Sequence, residues 1–176
     1  MKNAWLWVVG AFLLFRATKR ETKDTMRLSK DFRLQEFVSA DQLAAGVTFD
    51  QLQALKDLVD NVLQPARDKT GIPIRVTSGL RSMAKNVAAG GVPQSQHLYG
   101  MAADIQPIPA TKDNYKKLWD AITSKQYDQL IWENAKAFIG TPSHLHVSYV
   151  SFPGQGKYTF NRMKKLEYQN GKYTYI

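Results

Sequence analysis

One apolar repeat constrains this chain more than any other feature. Leu52, Leu55, Leu58, Val59, Val62, Leu63 and Ala66 recur at the 3.6-residue period of a helix with one buried face. The run is opened by Thr48-Phe49-Asp50-Gln51, whose Thr-x-x-Gln form is a capping box. Pro65 predicts a kink or the end of the regular part, and Gly71 predicts the stop. The apolar face of such a helix must be covered by something. The segments that follow are short and read mostly as strands: Ile72 to Thr77, Met101 to Ile108, Gln129 to Glu133 and Leu145 to Val150. Tyr115, Leu118, Trp119 and Ile122 predict a second helix behind a Thr111 cap. Met83 to Gln96, with Gly90, Gly91 and Pro93, reads as a loop. Leu166 to Gln169 and Lys172 to Tyr175 flank Asn170-Gly171, the favoured two-residue hairpin turn, and this hairpin is expected to extend or cap a sheet. Two helices followed mainly by strands place the chain in the α+β class.

At 176 residues the chain has room for one domain plus a tail or anchor. Residues 4–15, AWLWVVGAFLLF, form an uncharged apolar run with no small-x-small cleavage site behind it. We read it as an uncleaved signal anchor or membrane-associated helix, against the alternatives of a core helix and a cleaved signal. The polar residues 16–33 read as a linker and approach to the domain. The formal net charge of +9 draws the protein to polyanions without choosing among nucleic acid, anionic lipid and acidic wall polymers. Residues 16–33 hold no aromatic stacking residue before Phe32, so no specific nucleic-acid partner is expected.

The absence of cysteine excludes disulfides, thiolate metal sites and a Cys nucleophile. Any metal must therefore be held by His and carboxylates. The only histidines, His97, His144 and His146, fall in two short segments, Ser95 to Asp104 and Ser143 to Ser148. Alternate strand residues share a face, so His144 and His146 point the same way. With His97 and Asp104 they offer enough ligands for a catalytic zinc, which takes three from the protein and leaves a position for water. Asp104, inside Met101-Ala102-Ala103-Asp104-Ile105, is expected to be partly buried, which requires a partner or a metal.

Ser95-x-His97-x-x-Gly100-x-Ala102-x-Asp104, followed about 40 residues later by His146-Val147-Ser148, resembles the zinc D-Ala-D-Ala carboxypeptidase family of murein peptidases. That family includes phage endolysins that cut L-Ala-D-Glu bonds. Val76 to Ser82 and the Asn86 to Gly91 region carry the same resemblance, which spans roughly Leu28 to Tyr149. It implies a small antiparallel sheet flanked by helices, in a hedgehog- or DD-peptidase-like zinc fold. Taken with the apolar N-terminus and the hairpin, the chain reads as an anchor and basic linker (1–26), a peptidase domain (27–150) and an extension with the hairpin (151–176). The resemblance further implies that His97, Asp104 and His146 bind Zn²⁺, that Arg81 holds the substrate and stabilises the attacked carbonyl, and that Ser95, Gln96 and His144 contact substrate.

One departure stands out. Many family members carry the catalytic acid three residues before the last zinc histidine, where this chain has Ser143. Glu133 is the expected substitute, brought to the site by an adjacent strand, with Asp128 a weaker choice. The implied function is zinc-dependent hydrolysis of peptidoglycan stem peptides, as endopeptidase or carboxypeptidase, in phage lysis or wall penetration. The alternative is a non-catalytic, zinc-containing wall-binding or structural virion or envelope protein. The expected location is membrane-associated through residues 4–15, on the periplasmic or cell-wall side or on a virion. Arg16, Lys19, Arg20 and Lys23 after the apolar run argue for the opposite orientation in an ordinary membrane.

Overall fold

The structure is a computed structural model that describes residues 26–151 and 159–176. The apolar run 4–15 lies outside these residues. Among the described residues, no helix is long and apolar enough to cross a membrane.

The long repeat forms the expected helical segment in three parts: α2 (Phe49–Leu58), a π-helical turn (Val59–Leu63) and α3 (Gln64–Thr70). The short α1 (Ala40–Ala45) precedes it. Thr48 accepts from the Gln51 N–H and Gln51 reaches back, completing the capping box. Proline at position 65 has no N–H to give the ladder, and the wide π turn directly before it absorbs the mismatch, so the rod continues to Gly71. The Met83 to Gln96 stretch is not all loop. Ser82 caps a short helix, α4 (Met83–Ala88), by accepting from Lys85 N–H, and only then do the glycines break the chain. The second predicted helix is α5 (Lys112–Thr123), capped by Thr111.

Six strands make one sheet: β1 (Ile74–Ser78), β2 (Ala102–Pro107), β3 (Gln129–Glu133), β4 (Leu145–Ser148), β5 (Lys164–Gln169) and β6 (Lys172–Tyr175), in the order β1-β2-β4-β3-β5-β6. This corrects the expected small antiparallel sheet: β3 and β5 pair in parallel, so the sheet is mixed. The cause is the path of the chain. β4 runs against β3 and ends beside its start, so the chain has only to pass that end to begin β5 on the far side of β3. Backbone bonds from Met163 N to Tyr127 O and Lys164 N to Asp128 O register the new strand there.

Strand alternation divides the sheet into two chemistries. Ala103, Ile105, Leu130, Trp132, Leu145 and Val147 share one face, are fully buried and pack on Leu55, Leu58, Leu63, Leu118 and Ile122 of the helices. Each of the leucine, isoleucine and valine side chains contributes about 1.5–3 kcal/mol on burial. Leu28 and Phe32 join this core at 2% and 0% exposure, so the segment read as linker is already part of the packed unit from Leu28 onward. The other face carries Asp104, His146, Ile131 and Glu133, and it is left open.

Candidate active site

Three side chains converge from three elements, two strands and a 3₁₀ turn. Asp104 on β2 and His146 on β4 are direct cross-strand partners, so their side chains leave the sheet together. His97 comes from a single 3₁₀ turn (Gln96–Tyr99) that is capped by Ser95 and stopped by Gly100. Gly100 has φ +73°, and a Cβ there would lie 2.6 Å from the Gln51 carbonyl oxygen of α2. Glycine is therefore needed for both the turn and the contact. The ring of His97 is fixed by Nδ1, 2.7 Å from the carbonyl oxygen of Gly79. A carbonyl only accepts, so Nδ1 carries the proton and Nε2 presents its lone pair to the site. Gly79 itself is pressed on the backbone of Phe37, where a Cβ would meet Phe37 O at 2.4 Å.

The resulting triangle is close to equilateral. His97 Nε2 lies 3.2 Å from His146 Nδ1 and 3.3 Å from Asp104 Oδ1, and His146 Nδ1 lies 3.1 Å from Asp104 Oδ1. A tetrahedral zinc with ligands at 2.0–2.1 Å has ligand–ligand edges of about 3.3 Å. The donor chemistry agrees. The proton of a neutral His97 is already given to Gly79, so its Nε2 lone pair faces a carboxylate oxygen at 3.3 Å, a contact that a shared cation turns from repulsive to favourable. Burial pushes the His97 pKa below its ordinary value, which keeps the ring neutral as a ligand must be. Burial alone would raise Asp104, but His146 and His97 beside it outweigh that and hold its carboxyl well below the usual range. These residues fit zinc.

Arg81 secures the triangle from behind. Its Nη2 donates to Asp104 Oδ2 at 2.5 Å and its Nε to Ser78 Oγ at 2.9 Å, which turns Oδ1 toward the histidines. His144, on the same face of the β4 segment, places Nε2 3.7 Å from Asp104 Oδ1. Its other nitrogen lies 2.9 Å from Ser143 Oγ, so the serine that replaces the expected acid orients this ring instead. Gln106 Nε2 and the Tyr115 hydroxyl both donate to Ser143 O and fix the chain as it enters β4.

Glu133 ends β3 on the same face, 8% exposed. Burial pushes its carboxyl up to about 7; the nearby Asp104 charge adds to this, and His146 and Arg81 oppose it. It borders a cavity of about 680 Å³ together with Arg81, Ser95, Gln96, His144 and the triangle. The cavity thus collects every residue that the sequence nominated as a zinc ligand, substrate contact or proton carrier except Asp128. That aspartate is fully buried and accepts from Arg162 Nε (2.6 Å), Arg162 Nη2 (2.5 Å), Arg162 N–H (3.1 Å) and Gln96 Nε2 (2.9 Å). It ties the 3₁₀ turn to the approach of β5 and is committed to structure. Gln96 lines the cavity wall while its amide is held by Asp128.

Sequence reasoning missed three contributors. The Gly79 carbonyl is invisible because any residue supplies a carbonyl. Arg162 lies beyond the region of resemblance. Tyr168, Tyr173 and Tyr175 also line the cavity, and their alternation in the hairpin was a readable signal of one shared face.

Residues 30–147, two thirds of the chain, match the family model described as Peptidase M15. No curated protein matches the chain.

Proposed function

The chain belongs to the peptidase M15 family and is a metallopeptidase, and from that premise we propose that it hydrolyses peptide bonds in peptidoglycan stem peptides, with zinc held by His97, Asp104 and His146. The observation that carries this reading is the triangle of ligand atoms 3.1–3.3 Å apart, lining an open cavity. Zinc bound there supplies Lewis acidity and a water acidified to a pKa of about 7.

The chain's own residues supply the rest. Glu133 is the proton acceptor for the attacking water and returns the proton to the leaving amine. A carboxyl near 7 is matched to both transfers at neutral pH. Arg81 has five N–H donors, two of them on Asp104 and Ser78. Arg81 also lines the cavity, where its remaining N–H groups steady the substrate carbonyl as it gains charge. His144, held by Ser143, contacts the substrate beside the triangle. The setting we infer is phage lysis or wall penetration, at the cell-wall side of a membrane to which residues 4–15 attach the chain.

The test uses the purified full chain. Metal analysis should give about one zinc per chain, and digestion of purified murein should release new amino termini whose fragments, weighed by mass spectrometry, identify the bond. Asp104→Ala should abolish both. Stoichiometric zinc without any new amino termini would instead support the non-catalytic wall-binding alternative.

A further inference from the structure

The outer wall of the cavity is built by a segment beyond the residues that match the family. The pairings Glu133–Tyr168–Tyr173 and Ile131–Leu166–Tyr175 draw two rows across β3, β5 and β6. Both rows lie on the face that carries Asp104 and His146. Tyr168 and Tyr173 pack with ring centroids 4.6 Å apart, tilted by 42°. Tyr173 and Tyr175 are 56% and 67% exposed, whereas Tyr115, Tyr127, Trp119 and Trp132 are sunk in the core. The wall is pre-formed: Leu166 is buried, β5 is bonded along β3, and Arg162 is clamped to Asp128. The Tyr173 hydroxyl has its pKa raised by burial and then by Glu133, Tyr168 and Asp104, so this ring lies within the field of the catalytic centre.

We propose, resting on the peptidoglycan reading above, that Tyr168, Tyr173 and Tyr175 form a subsite for the N-acetylated amino sugar that carries the stem peptide being cut. A pyranose ring has an apolar C–H face and a polar rim, and a tyrosine offers the matching ring face and hydroxyl. A stem built of alanine and charged residues has no side chain of that shape. Continuity with the cavity fixes the occupant as part of the same substrate. β5 and β6 lie two and three strands from β4, about 9.5 and 14 Å. An extended residue spans about 3.5 Å, so the sugar sits within a few backbone units of the scissile bond.

The experiment compares two soluble substrates with the same stem, one bearing the disaccharide and one stripped of it. The zinc-loaded full chain should cut the disaccharide form with a kcat/KM about fivefold to tenfold higher, the size of one or two ring-face contacts, expressed mainly in KM. Tyr173→Ala with Tyr175→Ala should bring that ratio toward one, and Tyr173→Phe, which keeps the ring face, should preserve it. Circular dichroism of the double variant verifies its fold. Equal cleavage of both substrates by the wild type, or an unchanged ratio in the double variant, overturns the subsite. Should neither substrate be cut, the peptidase reading fails, and titration of the free disaccharide decides the subsite alone. Binding lost in the double variant upholds it; no binding to the wild type overturns it.

Discussion

Glu133→Gln separates catalysis from stability. The side chain is 8% exposed and its pKa is pushed from an ordinary 4.5 to about 7, chiefly by burial. A raised carboxyl pKa means the folded state holds a proton that the unfolded chain has lost. Between pH 4.5 and 7 the folded state binds more protons, so stability falls as pH rises and the full cost is present above 7. At 1.36 kcal/mol per pH unit, that cost is at most about 3 kcal/mol, and less because the cavity admits water. Glutamine keeps the shape and removes the charge. Guanidinium unfolding in chelator should therefore show the variant more stable than wild type at pH 8, by about 1–3 kcal/mol, with the gain vanishing at pH 4. Zinc, by favouring the ionised form, should shrink the gain in the loaded protein. The same variant should retain zinc yet lose murein cleavage by about a hundredfold to ten-thousandfold, the range of general acid–base catalysis. A variant no more stable than wild type at pH 8 would refute the burial argument. Persistent cleavage would refute the proton-transfer role.

Two further substitutions test the scaffold. Asp128→Ala removes the acceptor of four hydrogen bonds and leaves the Arg162 guanidinium without its carboxylate. A loss of about 3 kcal/mol is expected in denaturant unfolding, the low end for a broken buried pair because Arg162 keeps some contact with water. Gly100→Ala strains a backbone at φ +73° and drives a Cβ into the Gln51 carbonyl. It should lower the melting temperature and, by shifting His97, weaken zinc retention in a chelator competition; an unchanged zinc affinity would uncouple the turn from the site.

The chain's local chemistry was readable without coordinates. The Thr48 capping box, the Leu52 to Ala66 face, the Thr111 cap and the Asn170-Gly171 turn, with φ of +52° and +78°, are decided by residues a few positions apart. So is the common face of His144 and His146, because a strand has period two. Three histidines in a chain without cysteine left four candidate ligands, from which the resemblance selected three, and the spacing from Ser95 to Asp104 encodes a cap, a turn and a strand that together carry two ligands. Other features depended on pairing between distant segments. The parallel β3–β5 pair came from the path after β4, the commitment of Asp128 from an arginine 34 residues away, and the tyrosine wall from β5 and β6 lying beside β3. A side chain's type and spacing fix what it can do and which way it faces. Only the packed sheet fixes which distant group it meets, because that choice is made by register and burial across the whole fold.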